Sequence, residues 1–218
     1  MEDKHYKLRE DLSIEFRSRT LYRIEALKDL PQHNVKKGDI GGYVESYDNL
    51  LWEAWIGGFA KVFGDARVFG SAKVSGNSRV FGDAKVYGCS QIVGDAQVCG
   101  YALVYGNALV DDDSRVYGNA QVYDNAFVFG NARVHGSAQV CGSACVLFGN
   151  IKKRGDVKNI IGEKYNITIL PNHIQIGCQW HTKEAWFNFE DREILKMDGK
   201  EGLKWWKKWK PLLQGMSE

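Results

Sequence analysis

The densest run of reactive side chains is IGCQWHTKEAW, Ile176 to Trp186. It holds Cys178 and His181 at C-x-x-H spacing, with Glu184 three residues beyond and His173 upstream. Zinc takes thiolate and imidazole ligands, but a structural site needs four of them, usually from two paired motifs. The second pair is missing, and no metal is expected. A Cys–His nucleophile pair needs its groups within hydrogen-bond reach, which a spacing of three does not establish. The plain alternative is a structural thiol beside a hydrogen-bonded imidazole. The chain contains no Walker motif, no GxSxG and no GxGxxG ahead of a helix. Its five cysteines are irregularly spaced, so a disulfide framework is not expected.

These groups lie outside the most regular part of the chain. GDARVFGSAKVSGNSRVFGDAKVYG, Gly64 to Gly88, repeats every six residues. From Gly58 to Leu147 fifteen hexads follow G-x-[AS]-x-[VI]-x without a break. Residues two apart on a strand share a face, so Ala66 and Val68 point one way and Arg67 and Phe69 the other. Glycine with Asn, Asp or Ser makes the turn. Asp112 and Asp124 replace the glycine twice, and Asp tolerates the same left-handed backbone. One such strand cannot bury its valine. Coiling stacks the strands and joins the valines into an internal ladder. Valine and alanine fill a narrow interior, so any ligand is expected outside.

On this motif the chain resembles the hexapeptide-repeat proteins, left-handed parallel β-helices best known from acyltransferases. KKGDIGGYVES before the repeat and IGCQWHTKEAW after it resemble a narrower group of phage and prophage β-helix proteins. The resemblance implies three hexads per coil, hence five coils across 58–147 that rise about 24 Å at the usual strand spacing. It also implies a homotrimer. In the acyltransferases a histidine acts as general base in a groove between subunits, and acyl-CoA lies along the coils. His135, the only histidine of the repeat, is the candidate, because imidazole titrates near neutrality. No inserted loop of the kind that helps form those enzymes' acceptor site interrupts the hexads. Fold alone does not confer function, so a non-catalytic reading without a cofactor ranks first.

With 18 residues to a coil, the residues after the valines form three outer columns. Phe63, Phe81, Cys99, Tyr117 and His135 make the first. Phe69, Tyr87, Tyr105, Tyr123 and Cys141 make the second, and Ser75, Val93, Asp111, Phe129 and Leu147 the third. Beside the first run Lys61, Arg79, Gln97, Arg115 and Arg133. One reading is a stack of rings that stiffens the coil or packs between subunits. The other is a platform for a planar ligand, with cations holding a phosphate. Its candidate residues are Tyr87, Tyr105, Tyr123, Tyr117, Arg115, Arg133 and His135. On the third face Lys73 and Gln91 give way to Leu109, Phe127 and Cys145, beside Phe129 and Leu147. That end is expected to be covered by the C-terminal segment or by another subunit.

Solenoid ends need covers. Residues 1–57 are read as an N-terminal β cap with irregular first coils. TLYRIEAL supplies a strand or two, and Trp52, Trp55 and Ile56 plug the open end. Residues 148–218 are read as an α+β cap with a hairpin turning at Pro171–Asn172. A short helix follows, capped by Thr182 and running to about Phe189. A second helix spans about Gly199 to Leu213, with Trp205, Trp206 and Trp209 on one broad face. WWKKWKPLL also permits a membrane-surface reading, ranked below packing on the cap or on a subunit.

The formal net charge is +2, with the positive excess in residues 148–218, so general nucleic-acid binding is not expected. No apolar run is long enough for a bilayer, and MEDKHYKLRED does not read as a signal peptide. A cytoplasmic protein with reduced thiols is expected. The expected function is non-catalytic binding, with the aromatic and basic faces presented to a nucleotide-like anion or a host protein. Its most specific form is a phage counter-defence protein that sequesters a host nucleotide signal between subunits. The alternatives are an acyltransferase and a structural or assembly module.

Overall fold

The hexads become two-residue strands joined by tight turns. The computed structural model describes residues 4–160 and 164–217; Met1–Asp3, the start of the charged N-terminal stretch, lie outside them. The molecule is mainly β, and its body is a parallel β-solenoid with three faces. Arg115 pairs with Arg133 on the first face, Leu103 with Gln121 on the second and Leu109 with Phe127 on the third, each 18 residues apart. The repeat valines, Ile92 and the small-position alanines are fully buried. Each buried valine contributes about 1.5–3 kcal/mol, so the interior ladder, and not the turns, is the main source of stability. Serine takes the small position at Ser78, Ser90 and Ser114. Each hydroxyl donates to the carbonyl three residues back, at 2.7, 2.8 and 2.6 Å, which satisfies the buried group.

The turns require a left-handed residue. Gly88 has φ 75°, and a Cβ there would lie 2.9 Å from the Gly106 backbone nitrogen of the next coil. Asp112 and Asp124 adopt φ 54° and 60°. Their carboxylates reach one coil on, accepting from the Gly130 amide at 2.9 Å and the Gly142 amide at 3.0 Å.

The solenoid extends past the fifteen hexads at both ends. Tyr43–Val44 pair with Lys61–Val62 and Trp55–Ile56 with Lys73–Val74, so the third face carries six strands, one more than five coils supply. At the other end Asn150–Ile151 pair with Arg133–Val134, 17 residues on. One residue has dropped out of the period, which is why the hexad pattern stops at Leu147 while the coil does not.

At the N-terminus β2 (Arg19–Ala26) pairs antiparallel with both β1 (Tyr6–Phe16) and β3 (Ile40–Val44), and β3 then enters the first face. Arg17 and Ser18 make the hairpin turn, with φ 51° and 59°. Tyr6 covers the open end, its hydroxyl donating to the Leu50 carbonyl at 3.1 Å. Trp55 and Ile56 are buried beneath it, but the expectation for Trp52 is corrected. Its left-handed backbone turns the indole outward, 69% exposed, edge-on to Phe69 at 5.4 Å.

The C-terminal cap is larger than a hairpin and two helices. Lys158–Ile160, Ile167–Ile169, His173–Ile176 and Gln179–Thr182 form a four-stranded antiparallel sheet. Thr182 caps α1 (Lys183–Asn188), its hydroxyl accepting from the Ala185 amide at 3.0 Å. The helical stretch α2 (Asp191–Ser217) is two helices joined by a kink at Asp198 and Gly199; the one after the kink is the helix expected from about Gly199, and the short one before it was not expected. Trp206, Trp209 and Leu213 bury against Ile167, Ile174 and Trp186 within the cap itself, and Trp205 is half-buried beside them. No described helix is long and apolar enough to cross a membrane. The cap meets the last coil where the Cys145 amide donates to Thr168 Oγ1 at 3.3 Å. It does not cover the third face further back: Phe127 remains 42% exposed and Phe129 half-buried.

Candidate functional site

The second column is an unbroken ladder. Phe69, Tyr87, Tyr105 and Tyr123 stack at 4.8, 4.9 and 5.0 Å with their planes within 3°. A hydrogen bond with Cys141, followed by burial, pushes the Tyr123 hydroxyl up to about 12. Burial raises Tyr87 and Tyr105 as well. These phenols stay neutral at neutral pH and serve as packing with a polar rim. The second-face strands beside them carry Arg67 and Lys85 at one end, then Leu103, Gln121 and Gln139.

The first column is interrupted. Phe63 stacks on Phe81 at 5.1 Å and Tyr117 on His135 at 4.9 Å, but Cys99 between them supplies no ring. The N-terminal hairpin covers the upper half. Phe16 stands edge-on to Phe63 at 5.6 Å, and the Arg17 guanidinium lies 5.9 Å from the centroid of Phe81. The lower half is open. There Gln97, Cys99, Arg115, Tyr117 and Arg133 surround a hollow of about 230 Å³.

The hollow is electropositive. Arg115 and Arg133 are register partners on adjacent rungs, and both are exposed. Among the described residues neither makes an ion pair. Two guanidiniums a rung apart repel one another, and an anion between them relieves that repulsion and receives planar, forked donors. Burial pushes the Cys99 thiol up, against a smaller downward pull from Arg115. The thiol is therefore protonated at neutral pH and packs as a small apolar floor. At the lower edge His135 Nε2 meets Asn150 Oδ1 at 2.6 Å, a contact made by the out-of-register last rung.

The predicted ligand residues thus divide into two sets. Arg115, Tyr117, Arg133 and His135 come together along the first face. Tyr87, Tyr105 and Tyr123 follow the strands of another sheet. Sequence reasoning misses Arg17, because its turn contains neither glycine nor asparagine. It also misses Asn150, because the deleted residue hides the last strand.

The Cys178–His181 pair does not assemble into a reactive unit. Cys178 is exposed at a turn and lines a hollow of about 120 Å³ with Tyr165, Trp186 and Trp205. His181 is wedged edge-on against Trp186 and Phe189 at 5.0 and 4.9 Å, its pKa pulled down by burial. Among the described residues no group of three or more His, Cys, Asp or Glu is placed to hold a metal.

Two overlapping windows, residues 120–136 and 126–142, match the family model described as the YdcK β-solenoid repeat. They span Tyr123, Phe127, Arg133 and His135, and place this stretch among β-solenoid repeats by sequence as well as by fold. No curated protein matches the chain.

Proposed function

We propose that this β-solenoid protein is a non-catalytic binding module whose first face takes a small nucleotide-like anion. One observation carries the reading: two guanidiniums that have no carboxylate partner among the described residues stand on adjacent rungs beside the Tyr117–His135 stack, around one open hollow. The anionic group seats on Arg115 and Arg133, and the rings offer a planar surface. The finer form is a cytoplasmic, phage-type member of the left-handed hexapeptide superfamily that holds a nucleotide signal out of circulation. KKGDIGGYVES and IGCQWHTKEAW support that form. The uncovered Phe127 supports a homotrimer or a protein partner on the third face.

Calorimetric titration with ATP tests the binding. Wild type is expected to bind, and the Arg115→Ala/Arg133→Ala double variant to bind at least tenfold more weakly. No heat from either ATP or inorganic triphosphate at about 1 mM, a limit of about −4.1 kcal/mol, overturns the reading.

The His135–Asn150 contact favours a second reading, acyl transfer. With Nε2–H donating to Asn150 Oδ1, the other ring nitrogen is left to take a proton from an acceptor. Arg115 and Arg133 fit the phosphates of an acyl-CoA, which would supply the activated acyl group. Loss of acetyl-CoA turnover in His135→Ala, with binding retained, would establish this reading; absence of turnover in wild type removes it.

A further inference from the structure

We propose that the ring missing from the first column at Cys99 is supplied by the ligand, and that the ring is an adenine. This rests on the reading that the first face binds an anion. Everywhere else the column stacks at 4.9–5.1 Å per rung. Phe81 and Tyr117 stand two rungs apart, about 10 Å at the usual strand spacing. A planar group midway between them lies about 5 Å from each, the separation the protein itself uses. Cys99, half-buried and uncharged, floors the slot without entering it.

The same rung breaks the cation column. In the run Lys61, Arg79, Gln97, Arg115, Arg133, only Gln97 is neutral, and it pairs in register with Arg79 above and Arg115 below. A charged residue there would face the ligand ring with a cation. An amide offers one donor and one acceptor, the pair that reads the N6/N7 edge of adenine. Arg115 and Arg133 lie one and two rungs on, where the phosphates of a nucleotide extend from its sugar. Arg17 brings a further cation to the Phe81 ring from the hairpin turn. The two departures from the repeat, Gln97 and Cys99, therefore fall on one rung and face one ligand.

The test fills the slot. Cys99→Phe restores the ladder and is expected to keep or raise the melting temperature while weakening ATP at least tenfold, about 1.4 kcal/mol. Inorganic triphosphate, which has no base, is expected to bind Cys99→Phe like wild type and to be lost in Arg115→Ala/Arg133→Ala. Gln97→Leu is expected to weaken ATP while sparing inorganic triphosphate. In wild type, 2-aminopurine riboside triphosphate, which keeps N7 but lacks the N6 amine, is expected to bind more weakly than ATP and to lose fluorescence by stacking, a readout that needs no variant. ATP binding equally well to Cys99→Phe, or 2-aminopurine bound without quenching, overturns the stacking inference and leaves the anion reading standing. Failure of both ATP and inorganic triphosphate to bind wild type overturns the two together.

Discussion

The first and second columns share one backbone, one rung spacing and one buried valine ladder, yet they differ in what they leave open. The second is filled by Phe69, Tyr87, Tyr105 and Tyr123 in continuous contact. The first is filled at Phe63–Phe81 and Tyr117–His135 and vacant at Cys99, with exposed arginines alongside. Because the rungs are common to both, the difference lies in the outward side chains and in the hairpin that covers the upper half of the first column. A solenoid can therefore build a stiffening ladder and a receptive slot from the same repeat, and the repeat motif does not say which.

Val104→Asp should erase the comparison altogether. Val104 is fully buried beneath the second column, and an unpaired charge there costs more than about 4 kcal/mol. The expected result is loss of a cooperative thermal transition; an unchanged melting temperature would overturn the inward assignment of the valines. Tyr105→Ala opens in the second column a gap like that at Cys99. Two ring contacts are lost, so stability should fall by about 1–3 kcal/mol. Without arginines beside it the new gap should gain no affinity for ATP. Cys99→Phe works in the opposite direction, making the first column resemble the second. It should raise the urea midpoint by the equivalent of up to about 1 kcal/mol.

The smallest effect concerns the N-terminal cap on either side of the hairpin. His5 and His33 are held below their ordinary 6.5 chiefly by burial, with Nε2 on the Ala54 and Glu53 carbonyls at 2.9 and 2.8 Å. The unfolded chain takes up protons at 6.5, where the folded chain resists them. Stability should therefore decline as pH falls through 6.5 and level off below the folded values. Urea midpoints measured across this range should show the decline, and His5→Gln/His33→Gln should make it shallower, leaving the share of His173 and His181, which burial also holds low.

The repeat was legible because each hexad needs only its counterparts one coil away, and a pattern of glycine, small residue and valine states that need directly. The irregular parts were not legible for identifiable reasons. β1 escapes because its register shifts between Arg9 and Ser13, which breaks the alternation a strand would show. The Asn150–Ile151 rung escapes because one residue is missing from the period. The extra strands of the cap are short and mixed in polarity, and the helix ahead of the Asp198–Gly199 kink is too short to show a period, whereas the helix start at about Gly199 was legible. Of the candidate site, the arginine column and its rings followed from spacing, whereas the hollow depends on Cys99 being small between two rings, which is a matter of contact.

The register of the solenoid has a consequence for how such a chain tolerates lengthening. The buried pattern returns every six residues, but an outer column returns only every 18, the spacing between paired rungs. Inserting one hexad would leave the interior intact while moving every downstream side chain to a different face. With the insertion between Cys99 and Arg115, the two arginines would no longer lie in register below Gln97. Inserting three hexads would preserve every column and lengthen the molecule by one rung. Duplication of whole coils is thus silent to both interior and surface. A single-hexad slip is silent to the interior alone, so natural variants should differ in length by multiples of 18 wherever the slot is kept.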